Sequence, residues 1–165
     1  MFVYSTLSKL QAENYTTSGT PNTELEPFFL KPGTRNIGVQ RLQVQGKGAA
    51  LTALSGIVYR LKKWTSTSAS GGTAAVPAPS DPGAQACKAT AGLGTAGGTA
   101  VVTVGTGGPT LQCMCGSSAS GPGGWVAANI DDNKTLEGSA NQSQDLFVAS
   151  GTATMNYEFQ VDHVE

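Results

Sequence analysis

From Ala153 to Val161 apolar and polar residues alternate without a break. Ala153, Met155, Tyr157, Phe159 and Val161 fall on one side; Thr154, Asn156, Glu158 and Gln160 fall on the other, and Asp162 continues the polar series. A helix would scatter these residues around its axis, whereas an extended strand gathers them onto two faces. At about 3.3 Å per residue the run spans on the order of 30 Å, long enough to cross a whole sandwich. Its aromatic face then supplies much of a core and needs a second layer against it.

The same period of two recurs from Ile57 to Trp64. Ile57, Tyr59 and Leu61 share one face, and Val58, Arg60, Lys62 and Trp64 the other. Phe28-Phe29-Leu30 is a short apolar plug before the Pro32-Gly33 turn, with both rings expected in the core. Between Asn36 and Gln45, Ile37 and Val39 keep one phase and Leu42 and Val44 the other, the one-residue change that a β-bulge produces. Further strand candidates are Ala84 to Thr90, Thr99 to Val104, Thr110 to Cys115, Trp125 to Ile130 and Asp145 to Ala149. Gly92 to Gly98, Gly105 to Gly108 and Gly121 to Gly124 read as breaks between them. Charged residues make up only 13% of the chain, against 22 glycines, so the Lys/Glu/Leu stock of a helical protein is missing. The expectation is an all-β fold, an antiparallel β-sandwich of jelly-roll-like type with long Gly/Ser/Pro-rich loops.

The segment after Trp64 is dense in turn chemistry. Gly71 and Gly72 tolerate positive φ, Thr73 to Val76 resumes extended structure, and Pro77, Pro79 and Pro82 remove backbone donors. Pro77 to Gly83 therefore reads as a rigid extended loop or blunted edge, closed by an Asp81-Pro82-Gly83 turn. Gly56 to Ala91 as a whole, with its strand, Gly-Gly-Thr-Ala hairpin, Asp-Pro turn and following Ala-rich strand, resembles a segment of small virion proteins of tailed bacteriophages. The resemblance covers about a quarter of the chain and contains no catalytic motif. It implies a capsid decoration or cement protein, a domain on the exterior of the virion that holds neighbouring subunits of the major capsid protein together. It also implies a homo-oligomer, a trimer in preference to a dimer, because closed symmetry suits local three-fold sites on an icosahedral shell. The alternative is a phage head-fibre or tail protein that binds glycans by stacking Trp64, Trp125 or Tyr157 on sugar rings.

Chemistry-bearing motifs are sparse. Gly92 to Gly97 matches GxGxxG, but a dinucleotide fingerprint needs a helix after it, and Thr99 to Val104 is β-like instead. A serine triad needs a general base, and the one histidine, His163, sits near an end expected to be mobile. Eleven carboxylates offer many pairs, none marked by an apolar setting that would raise a pKa. Cys87, Cys113 and Cys115 read as free thiols; with no CxxC and a distant His163, no metal site is expected. Asp131 and Asp132 lack the spacing of a calcium loop. No enzyme activity and no cofactor is expected.

A net charge of −1 provides no field for nucleic acid, and Lys62-Lys63 beside Trp64 reads as solvated charge on an outward strand face. No apolar run approaches the roughly 20 residues that span a bilayer, and no secretory leader is recognised, so synthesis in the host cytoplasm and no membrane partner are expected. The layout is an N-terminal arm or first strand over residues 1–15 and a single β-sandwich domain over residues 16–165. Phe2, Val3, Tyr4, Leu7, Leu10 and Tyr15 are the candidate interface, since a terminal arm can add a strand to a neighbour's sheet edge.

Overall fold

The structure is a computed structural model that describes residues 1–7, 15–16, 18, 20, 23–47, 57–94, 104–106, 110–117, 122–126, 135–150 and 156–165. Of these, 16, 45–47, 57–58, 110–117, 122–126 and 150 are described by their backbone alone. The described residues contain strands and no helix, arranged as two antiparallel sheets packed face to face.

The first sheet has the order β10 (Pro122–Val126), β4 (Ile37–Lys47), β13 (Asn156–Val164), β1 (Val3–Leu7), β7 (Ala78–Pro79). Two short strands complete it, β11 (Thr135–Leu136) on β4 and β2 (Tyr15–Thr16) on β13. The second has the order β6 (Thr73–Ala75), β8 (Thr90–Leu93), β3 (Leu25–Lys31), β12 (Ser143–Ser150), β5 (Ile57–Trp64), β9 (Thr110–Ser117). The alternating strand read from the sequence is β13, and it lies at the centre of the first sheet, between β4 and β1. Tyr157, Phe159 and Val161 point into the sandwich, where Phe28 of the second sheet meets the Phe159 ring edge-on at 5.6 Å. Tyr59 and Leu61 of β5 and Leu146 and Val148 of β12 complete the facing layer.

The phase change in β4 is a bulge. Asp162 pairs with Arg41 and His163 with Val39, so Gln40 is the extra residue, and it brings Ile37, Val39, Leu42 and Val44 onto one buried face. A second bulge was not legible. Leu146 pairs with Phe28 and Val148 with Leu25, so β3 carries one residue too many around Glu26 and Pro27. Proline has no N–H for the ladder and fits such an irregularity. The slip takes Glu26 out of phase with Phe28 and Leu30 and onto the outer face of the sheet.

Several turn assignments hold. Gly71 and Gly72 have φ of 91° and 70°, and the Asp81 carboxylate accepts from the Gly83 N–H at 2.8 Å. The proline-rich stretch is an edge, as β7. Others need correction. Ala84 to Ala89 is not a strand; the strand is β8, which starts at Thr90 and runs through Gly92. Gly92 is there because the Phe29 ring lies on it: a Cβ would stand 2.2 Å from Phe29 Cε1. Gly123 and Gly124 likewise belong to β10, paired with Val44 and Gln43, and are not a connector. Thr99 to Thr103, Ala127 to Asn133 and Ala153 to Met155 lie outside the described residues.

Phe159→Ala is expected to destabilise the protein by roughly 3–5 kcal/mol, the cost of removing a large core aromatic, whereas Gln160→Ala, on the other face of β13, should change little. Denaturant melts of the two variants check the assignment of the faces.

Candidate functional site

The candidate interface residues do not stand together on the surface. Val3–Leu7 is an internal strand: β1 pairs with β13 on one side and β7 on the other, with Tyr4 opposite His163 and Thr6 opposite Val161. Tyr4 and Tyr15 are buried in the chain's own interior, and Tyr15 packs on Phe159 at 5.5 Å. An arm free to leave the domain is thus not what Tyr4 or Tyr15 belongs to. Phe2 and Val3 are half-buried, Leu7 is 49% exposed, and Leu10 lies outside the described residues.

Three other places carry the chemistry or the surface. The first is the outer face of the second sheet, which is roofed by its own loops. Trp64 leaves β5, and the chain folds back so that Ala69 packs against Phe29, while Thr67 bridges Thr106. The Ala69 N–H donates to Ser143 Oγ at 3.0 Å, and Asn141 accepts from Ser68 and donates to the Ser66 carbonyl. Gly105 is required here, because a Cβ would meet Trp64 Cγ and the Thr67 carbonyl, each at 2.7 Å. Under this roof Glu26 and Asp145 are both buried. As a carboxylate, Glu26 would hold two oxygens without a donor. Burial first, then the hydrogen bond to Asp145 and its charge, push the Glu26 carboxyl up to about 10, so it keeps a proton and donates it to Asp145. Asp145 is raised by burial too, against donors from Glu26, Ser143, the Gly105 N–H and the Trp64 indole. The sequence reading found no carboxylate in an apolar setting. The β3 bulge and the roof create one, and neither has a local sequence signature. The pair holds one proton between two acids; with 2% and 0% of their surface exposed, it is a packing element.

At the border of this roof Lys62 is only 16% exposed, paired with Glu24 at 3.0 Å and lying 4.0 Å from the centre of the Phe147 ring. Arg60 pairs with the other oxygen of Glu24 at 2.8 Å. Solvated charge is therefore a poor description of Lys62. Among the rings proposed to stack on sugars, Tyr157 is fully buried and Trp64 is half-buried against Phe147.

The second place lies at the end of β13. Alternation puts His163 and Glu165 on one face, and both reach the irregular stretch before β8, where Cys87 is half-buried. Cys87 Sγ lies 3.0 Å from Glu165 Oε1, to which it donates, and 3.5 Å from His163 Nε2; Nε2 and Oε1 are 3.9 Å apart. The Glu165 carboxylate also accepts the Lys88 and Ala89 N–H groups, at 2.8 and 2.7 Å, and faces Arg35 at 3.8 Å. His163 stacks on Tyr4, with ring centres 5.5 Å apart, and the Tyr4 hydroxyl donates to the Gln85 carbonyl at 2.8 Å. Burial holds His163 down to about 4, and burial with the bond to Glu165 pushes the Cys87 thiol up to about 12. A neutral thiol is a poor nucleophile. The expectation of a mobile end at His163 is overturned: the ring is completely buried, and Phe2 and Glu165 exchange both backbone hydrogen bonds at 3.1 Å. Cys87 and His163, set aside as too far apart in sequence to share a site, are neighbours because β13 runs beside the segment that leads into β8.

The third place is a rim. β6 is the outer strand of one sheet and β7 the outer strand of the other, so Thr73 to Pro79 carries the chain across the open side of the sandwich. Ala74, Val76, Ala78 and Pro79 are exposed on it, Val76 at 88%, and no charged residue occurs between Trp64 and Asp81. No family model, curated protein or solved structure matches the chain.

Proposed function

We propose that this chain is a virion structural protein of a tailed bacteriophage, a decoration or cement protein bound to the outer surface of the major capsid shell. The observation that carries the reading is the rim from Thr73 to Pro79. It is small-residued, apolar and uncharged, and it belongs to the Gly56 to Ala91 segment that resembles phage virion proteins. A surface of this kind loses little favourable hydration on contact with another protein, and its proline-fixed backbone has little freedom left to lose. Each further capsid subunit touched by one oligomer raises the effective concentration at the next contact, so modest patches add up to firm attachment. A trimer is the preferred assembly. The protein works by holding surfaces together and carries out no reaction. The glycan-binding alternative is weakened by the burial of Tyr157 and the inward packing of Trp64.

Quantitative mass spectrometry of purified particles tests this reading. Copy numbers comparable with the major capsid protein support decoration, a few copies per particle support a fibre, and absence from particles rejects both. Val76→Glu should leave the melting transition in place and weaken attachment to the shell by about tenfold or more, as for a charge forced into an apolar contact.

A further inference from the structure

A tetrahedral zinc ion with Zn–S near 2.3 Å and Zn–N and Zn–O near 2.0 Å sets its donor atoms roughly 3.3–3.6 Å apart. The Cys87 Sγ, His163 Nε2 and Glu165 Oε1 triangle has edges of 3.5, 3.0 and 3.9 Å, which bracket that spacing. Each donor is held by different means. The Ala89 and Lys88 N–H groups fix the Glu165 carboxylate, Tyr4 fixes the plane of the imidazole, and Cys87 donates a bond to Glu165. Arg35 lies nearest the other carboxylate oxygen, Oε2, while Oε1 accepts the Lys88 and Ala89 N–H groups and faces the thiol and the ring. Cys87 is half-buried between exposed Ala86 and Lys88, so an ion arrives from solvent along this stretch with no strand to displace.

We propose that Cys87, His163 and Glu165 bind a divalent cation of the zinc class through one sulfur, one nitrogen and one oxygen, with water on the solvent side as the fourth ligand. Binding releases one proton, the thiol proton that Cys87 now donates to Glu165, and forms a thiolate–metal bond in its place. A thiolate and a carboxylate then balance the charge of the ion. The bound metal ties the segment before β8 to the end of β13, closing a loop across 76 residues of sequence. The chemistry differs from that of the rim, and the inference stands whether or not the chain decorates a capsid.

Cobalt(II) titration of the full chain under reducing conditions is the test. The expected result is saturation at one equivalent per chain, with thiolate-to-cobalt charge-transfer absorption, tetrahedral d–d bands and displacement by zinc. Cys87→Ser, which retains a donor to Glu165 and should fold normally, is expected to abolish the charge-transfer band and weaken binding by about 100-fold. Glu165→Gln keeps a carbonyl oxygen for the Lys88 and Ala89 N–H groups; it should keep the band while lowering affinity by about tenfold. An absence of saturable binding, an octahedral spectrum, or a band that survives Cys87→Ser and so belongs to Cys113 or Cys115, would overturn the proposal.

Discussion

Deleting residues 1–7 is expected to abolish cooperative folding. β1 sits inside the first sheet, between β13 and β7, and its removal strips Gln160 to Val164 of the central strand of their partner on that side. Tyr4 and Thr6 are buried, and the Tyr4 ring is the stacking partner of the buried His163. Losing Tyr4 alone removes a core aromatic, a cost of about 3–5 kcal/mol. That is already comparable with the 5–15 kcal/mol that keeps a typical domain folded, and the lost ladder adds to it. Circular dichroism and a thermal melt of the truncated chain are the measurement. A truncated chain that still melts as cooperatively as the intact one would mean that Val3–Leu7 does not contribute as the paired strand described above.

The second large effect concerns pH. Glu26 is protonated in the folded protein up to about pH 10 and ionises near pH 4.3 when unfolded. Between those values the folded state binds one more proton than the unfolded state, so stability falls as pH rises, by about 1.4 kcal/mol per unit for a single proton. The groups facing Glu26 are Asp145 on β12, which raises its pKa, and Lys62 on β5, which lowers it. Below about pH 6.5 the buried His163 works in the opposite direction, because a ring held near 4 stays neutral in the folded state while the unfolded one takes up a proton. The clean window is therefore pH 6.5 to 9, over which chelator-treated protein should lose about 3 kcal/mol. Above pH 9 the Cys87 thiol adds to the loss, since it ionises more readily once unfolded. Glu26→Gln keeps a donor for Asp145 and has no proton to lose; its urea-melt stability should be flat across the same window. If wild type and Glu26→Gln show the same slope, the acid pair is not the source of the pH dependence.

How far the sequence could be read followed the range of the interactions involved. β13 and β5 were legible because alternation along a strand needs no knowledge of its partner, and the β4 bulge was legible because both of its halves carry large apolar residues. β8 and β10 were misplaced because glycine reads as a break in one dimension. In the sheet, Gly92 is the residue that lets the Phe29 ring lie flat on the backbone. The acid pair was missed for a related reason. Glu26 precedes Pro27-Phe28-Phe29 and, by parity, belongs with Phe28; only the slip against β12 turns it towards Asp145. At the Cys87 cluster, the i, i+2 spacing of His163 and Glu165 was a usable local signal, whereas the approach of Cys87 is a contact across 76 residues from an irregular stretch and leaves no local trace.

The place of β13 bears on how the chain is made. β1 and β4 both precede this strand by more than a hundred residues, yet both pair with it and flank it on opposite sides. While the ribosome is still translating the middle of the chain, Tyr4, Val39, Leu42 and Val44 have no layer to complete and remain wet. The first sheet closes only when Asn156–Val164 has left the exit tunnel, more than a hundred residues after β4. Until then the nascent apolar strands are a natural target for a holding chaperone.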